Sequence, residues 1–309
     1  MIEKENRDTG FLRRNLLDFL HDSESKNPTE TLYLFLLLNC AHAINDIDFL
    51  KGVYRSHHNW LWVREAKVFE MLGLSKDPEW DGDFYQKLFT SFSSNFIKEM
   101  ADFIHSHAST YYTPYQAAEA VRALIDQSPN RFGMSNTPKP IRNLICTLNT
   151  AIGGAPKAIC DFAANQAELF DCFDRETLFD PRVKVSLMEE KPLSRHMALM
   201  QLALRSLGNR DQDFQNGFID DFNQLEEQDL IISCPRQQSK IEDETKFSAY
   251  QLFPYSELKQ SSDTLWVQLA IAKLKNNGLA MIVVSDSLLH KNGYDALLRE
   301  YLVERQMLK

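Results

Sequence analysis

The sequence is short of positive charge. Lysine and arginine total 34 against 43 aspartates and glutamates, for a net charge of −9. A protein that grips duplex nucleic acid ordinarily carries excess cations to displace counterions. DNA is therefore open as a partner only through a local basic patch. The chain also lacks any C-x-x-C pair. Its cysteines, Cys40, Cys146, Cys160, Cys172 and Cys234, are odd in number and mostly apolar in setting, so reduced, buried thiols are expected. The residues from Met1 to Asp8 are charged and have no apolar core of a signal peptide. The longest apolar run, Leu32 to Leu38, is far too short to span a bilayer. These absences predict a cytoplasmic protein with no membrane partner. A metal site is not expected either. Near His105-Ser106-His107 the only carboxylate at helical spacing is Asp102, and no thiol is close, so an ordinary helix end is the reading.

What is present divides in two. Residues 1–107 read as helices. Leu12, Leu16, Phe19 and Leu20 share one face; Asn27-Pro28-Thr29-Glu30 is a helix start; and Leu32 to Ala43 is apolar nearly all round, hence buried. Another helix opens at His57 and runs to about Leu72. Phe84, Leu88, Phe92, Phe96, Met100 and Phe103 make a stripe that belongs in a core or a domain interface. From residue 108 to 309 the pattern changes to strands alternating with helices, which is the signature of an α/β domain. Thr113, Pro114 and Gln116 form a capping box before the helix of Ala117, Val121 and Leu124. Ser128 to Pro140 is polar and turn-rich, a surface loop. Strands are predicted at Pro156–Phe162, Val183–Met188, Asn216–Asp221, Asp229–Cys234 and Leu279–Val284, with Asn276-Asn277-Gly278 ending the helix before the last.

The run Asp229-Leu230-Ile231-Ile232-Ser233-Cys234-Pro235-Arg236-Gln237 resembles the core motif of the adenine-N6 DNA methyltransferases, Asp-Leu-Ile-Leu-Ala-Asn-Pro-Pro-Phe/Tyr. Other resemblances follow in the order found in type I modification subunits. Tyr112-Thr113-Pro114 looks like the motif that opens their catalytic domain, where the aromatic and the Thr touch the methionine end of S-adenosylmethionine. Asp161-Phe162-Ala163-Ala164-Asn165-Gln166-Ala167-Glu168 stands where the family has Asp-Pro-Ala-Cys-Gly-Thr-Gly-Gly. Glu189 follows the second strand, where an acidic residue binds ribose hydroxyls. The resemblance implies a Rossmann-like S-adenosylmethionine methyltransferase fold, truncated after strand five, over 108–309, with an all-α domain over 1–107. The bare edge at Leu279–Val284 is then expected to be covered, by the N-terminal helices or by another subunit.

The resemblance places Cys234, Pro235, Arg236 and Gln237 at the catalytic position. It places Tyr112, Thr113, Pro114, Asp161, Ala163, Glu189 and Asp220 at the cofactor, Asp220 substituting for the adenine-contacting Asp because Phe218 takes its place. The chemistry departs at each site except Glu189. In an active enzyme a flipped adenine gives its amino hydrogens to Asn and to the Pro carbonyl, and stacks on the aromatic. A thiol accepts poorly and Gln237 stacks weakly. Nor does Cys234 match the cytosine-C5 methyltransferases, which have Pro-Cys where this chain has Cys-Pro. Asn165, Ala167 and Glu168 replace the cofactor turn's glycines, and Glu168 would oppose the cofactor's carboxylate unless it turned to solvent. The expectation is a catalytically inactive relative that binds no cofactor. It would act through another protein subunit or as a homo-oligomer, in a restriction or phage-defence assembly. The alternative is an active S-adenosylmethionine-dependent adenine-N6 methyltransferase completed by another chain. A nucleic-acid-binding module without chemistry is opposed by the acidic balance.

Overall fold

The structure is a computed structural model that describes residues 2–21, 27–43, 92–108, 110–132, 136–154, 156–173, 177, 180, 182–189, 192–206, 217–218, 223, 225–235, 252 and 261–308. The helix expected from His57 and the stripe positions Phe84 and Leu88 lie outside the described residues, as do Asp220, Arg236 and Gln237.

Helix α1 (Ile2–His21) buries Leu12, Leu16 and Leu20, spaced by four on one face. α2 (Pro28–Ala43) is buried along Leu32 to Leu38 on every side, as its uniform apolarity predicts. Asn27 caps it, accepting the Thr29 N–H at 3.0 Å. α3 (Ser94–His107) turns Phe96, Met100 and Ile104 inward. α4 (Pro114–Gln127) begins at the expected capping box, with Thr113 and Gln116 satisfying each other's backbone N–H. α4 packs against α1 and α2. α5 (Lys139–Ile152) follows, ending at Gly153 with φ +68°.

Five strands then build one parallel sheet in the order β3-β2-β1-β4-β5. They are β1 (Ala158–Asp161), β2 (Lys184–Leu187), β3 (Gly217–Phe218), β4 (Gln228–Ser233) and β5 (Leu274–Ile282). Parallel strands need covered faces, and alternate residues serve the two layers. Ile159, Leu230 and Ile232 join a core shared with α1, α2, α4 and α6 (Pro192–Ser206). Cys160 and Ile231 face the other way, onto Leu265, Trp266 and Leu269 of α7 (Ser262–Lys273). The short α8 (Ser287–His290) and α9 (Tyr294–Glu304) close the described chain, and α9 packs on α7.

Three expectations change in detail. The residues expected to end a helix, Asn276-Asn277-Gly278, instead form a bulge inside β5: Gln228 pairs with Leu274, but Leu230 pairs with Leu279. Asn277 takes the left-handed conformation there, and a Cβ on Gly278 would meet the Gln228 and Lys275 carbonyl oxygens at 3.0 Å. The polar loop before α5 is not all surface, because Phe132 and Thr137 are buried. The cysteines are not all reduced: Cys146 of α5 is disulfide-bonded to Cys172, with Cα atoms 4.3 Å apart, leaving Cys40, Cys160 and Cys234 free. The two partners lie 26 residues apart, but α5 packs against the short 3-10 helix Glu168–Cys172, and this brings them together. Among the described residues no strand pairs with the outer edge of β5, whose apolar residues are half-buried.

Asp229 anchors the near end of this sheet. Its Oδ2 accepts the N–H groups of Lys157 and Ala158, both at 2.9 Å, and its Oδ1 meets Lys275 Nζ at 3.0 Å. One carboxylate thus ties the entry of β1 to β4 and to the β5 bulge. Two outcomes are expected. Asp229→Ala lowers unfolding stability by about 1–3 kcal/mol in urea titration, from the lost charge-assisted bonds. Thiol titration of the denatured protein finds three free thiols before reduction and five after it.

Candidate cofactor and base-binding site

The strand order reverses between β1 and β4, so the crevice that an open α/β sheet offers a ligand lies at the carboxyl ends of these two strands. β1 delivers Asp161, β2 delivers Met188 and Glu189, and β4 delivers Ser233, Cys234 and Pro235. The sheet therefore brings Asp161, Ala163, Glu189, Cys234 and Pro235 to one edge, as the motif order predicts.

The turn after β1 is drawn tight by its own hydrogen bonds. The Ala163 N–H donates to Asp161 Oδ1 at 2.9 Å and the Ala164 N–H to the Met188 carbonyl at 2.9 Å. Asn165 and Ala167 both adopt left-handed conformations, at φ +46° and +57°. These are glycine-type conformations held without glycine. Asn tolerates the region; for Ala it costs on the order of 1 kcal/mol. Successive amides in such a turn point into a shared concavity suited to anions.

Two carboxylates of the protein accept amide N–H groups of this turn. Glu189 Oε2 accepts the Asn165 N–H at 2.9 Å. Glu168, only 1% exposed, accepts the Gln166 N–H on Oε2 at 3.1 Å and the Thr137 N–H on Oε1 at 2.8 Å. Glu168 does not turn to solvent. Burial pushes its carboxyl above the usual range, while the Thr137 amide and the Arg122 guanidinium pull it back. Beneath the turn, Gln166 receives Gln201 Nε2 at 2.7 Å, and Arg122 donates to Gln201 at 3.2 Å. Arg122 and Arg205 both pair with Asp171, and Arg205 also reaches Glu119. This chain of polar contacts joins α4, the 3-10 helix and α6 under the site. Sequence reasoning missed Thr137, Gln166, Gln201 and Arg122. The signal that points to them is Glu168, since a carboxylate at a crowded turn needs donors, and only loop amides and buried polar side chains could supply them.

The remaining positions have the following surroundings. Tyr112 is buried, and its hydroxyl donates to Asn39 Oδ1 of α2 at 3.1 Å. Thr113 and Pro114 serve the start of α4. Asp161 is buried and its carboxyl is pushed up to about 8, first by burial and further by the negative charge of Glu168 and Glu189; the Ala163 amide and the Ser233 hydroxyl resist. Burial likewise pushes the Cys234 thiol up to about 11, the opposite of an activated nucleophile. Pro235 is buried beside it. The residues present do not fit S-adenosylmethionine. The turn's amides are taken by Glu168 and Glu189, so the cofactor's carboxylate would meet a carboxylate there.

Two consequences are measurable. At Ala167, which has left-handed φ and is fully buried, Gly is tolerated within about 1 kcal/mol, whereas Val costs about 2 kcal/mol or more by thermal unfolding. Asp161 titrates near 8 when folded and near 4 unfolded, so the folded state holds a proton that the unfolded chain releases. Its stabilising contribution is full below about pH 4 and is lost as pH rises toward about 8. Asp161→Asn therefore flattens the fall of unfolding free energy across that window.

The fold is shared with solved structures. A type I restriction-modification system methyltransferase subunit from Streptococcus thermophilus superposes with a TM-score of 0.62 at 14% identity, over 97% of this chain and 79% of that one. A protein from Vibrio vulnificus assigned as a modification subunit of a type I restriction enzyme gives 0.60 at 13%, over 96% and 75%. One from Listeria monocytogenes assigned as a class I S-adenosylmethionine-dependent methyltransferase gives 0.57 at 13%, over 98% and 80%. At such identities the likeness is one of fold. No curated protein matches the chain in sequence. The sequence profile of the N-6 DNA Methylase family matches residues 123–309, from α4 through β5 to the end. With the sheet order, the acidic residue after β2 and the Asp-Leu-Ile-Ile strand all within that span, the chain belongs to the N-6 DNA methylase family.

Proposed function

We propose that this chain is a methyltransferase-fold subunit that no longer transfers methyl groups and acts by binding another protein, as a structural or regulatory member of a cytoplasmic restriction or phage-defence assembly. The observation that carries the reading is the buried Glu168 carboxylate, which holds the amides of the turn where the family's glycines admit the cofactor. Cys234 stands where the base clamp needs an amide, and burial pushes its thiol up to about 11. Three parts of one reaction depart together, and each depends steeply on position. The helical segment 1–107 and the α/β segment 108–309 are the two units of this reading. The N-terminal helices or another subunit covers the outer edge of β5. Two of the structural neighbours are described as subunits of type I systems, which supports a role inside an assembly.

A second reading has its own support. Asp161 and Glu189 stand at the ends of β1 and β2, where a cofactor-binding member needs carboxylates. An active adenine-N6 methyltransferase completed by another chain would use them, with S-adenosylmethionine as the donor. Isothermal titration separates the readings. The inactive subunit shows no heat of binding at roughly millimolar S-adenosylmethionine, whereas micromolar affinity overturns it. Transfer of a labelled methyl group to adenine in DNA by the purified chain overturns it equally.

A further inference from the structure

The turn after β1 has the geometry of an anion receptor. Left-handed residues at 165 and 167 aim neighbouring amides inward, and the Thr137 amide approaches from the loop before α5. The Arg122 guanidinium, buried beneath the turn, adds favourable charge. The receptor's occupants come from the chain itself. We infer that Glu168 is a built-in ligand: its carboxylate seats itself on the Gln166 and Thr137 amides and closes the turn to any external carboxylate-bearing molecule. The inference rests on the proposed loss of cofactor binding and names the residue that causes it.

Three features favour a ligand-like role over plain packing. Both carboxylate oxygens accept N–H donors from main chain, one of them 31 residues away in sequence. The Glu168 backbone stands immediately after a residue in a strained conformation, so the turn is shaped around the amides and not around the side chain. Arg122 does not depend on Glu168, because it pairs with Asp171 and Gln201. Removing the carboxylate therefore leaves the charge network under the turn intact and the receptor empty.

The test is chemical rescue. In Glu168→Ala, acetate and formate are expected to raise the thermal midpoint saturably, by about 2–3 °C when present near ten times their dissociation constant. Chloride at equal ionic strength serves as the control, and the unaltered protein shows no saturable rise. A second variant guards against misfolding. Glu168→Gln keeps the shape and one acceptor without the charge, so the amide proton resonances of Thr137 and Gln166 should shift while acetate has no effect. A folded Glu168→Ala that is indifferent to acetate overturns the inference, as does a Glu168→Gln spectrum in which those two amides do not move. S-adenosylmethionine binding to the unaltered chain would overturn both readings, whereas acetate indifference of a folded Glu168→Ala in a chain that binds no S-adenosylmethionine overturns the inference alone. A failure of one idea is thus distinguishable from a failure of the other.

Discussion

A carboxylate that is 1% exposed cannot stand without donors, and most of this site follows from how Glu168 finds them. Burying a charge unpaired costs several kcal/mol, so the surroundings must supply hydrogen bonds. Two main-chain amides do so, from Gln166 in the same turn and from Thr137 across the loop before α5. That requirement pulls a polar, proline-bearing loop off the surface and onto the sheet. It also places Asn136 within reach of Gln166 at 3.4 Å, extending the polar chain toward Gln201 and Arg122. The disulfide between Cys146 and Cys172 ties α5 to the 3-10 helix that Glu168 begins. Cross-link and carboxylate therefore hold the same two segments together.

The persistence of the turn explains how a family fold survives the loss of its glycines. Left-handed residues are usually read as a demand for glycine. Here the demand is met by hydrogen bonds: Ala164 to Met188, Asn165 to Glu189, and the Asn165 side chain back to the Ala163 carbonyl at 3.0 Å. Together these outweigh the roughly 1 kcal/mol that Ala167 forfeits. The backbone of such a turn is thus held without glycine once hydrogen bonds from the protein's own side chains and carbonyls fix it.

Much of the fold was legible because its signals are periodic and local. Uniform apolarity in α2, the capping box at Thr113 and the apolar runs of β4 and β5 each report on their own neighbourhood, and the structure has them where expected. The Rossmann-like fold implied by the motifs agrees with the parallel sheet, whose order brings Asp161, Glu189 and Cys234 to one edge. What escaped was non-local. Thr137 looked like loop because its partner Glu168 lies 31 residues on. The bond from the Tyr112 hydroxyl to Asn39 joins residues 73 apart in the chain, which no local pattern signals. The disulfide was hidden for the same reason: nothing near Cys146 or Cys172 in sequence marks them as neighbours, and composition alone argued for thiols. The Asn276-Asn277-Gly278 bulge was read correctly as a break and wrongly as a terminus, because a helix end and a strand bulge use the same left-handed residue.

The electrostatics at the sheet edge also constrain what could occupy it. Asp161, Glu168 and Glu189 converge there, and two of them, Glu168 and Glu189, already hold the turn's amides. Asp161 answers by retaining its proton up to about pH 8, so that one carboxyl near the others is neutral at physiological pH. Cys234, half-buried beside them, has its thiol pushed up as well, mainly by burial. An added anion would meet carboxylates already seated on the Asn165, Gln166 and Thr137 amides. Glycine alone at position 168 would remove the carboxylate from the Gln166 and Thr137 amides but leave Glu189 on the Asn165 amide, so the turn's donors are divided between two side chains.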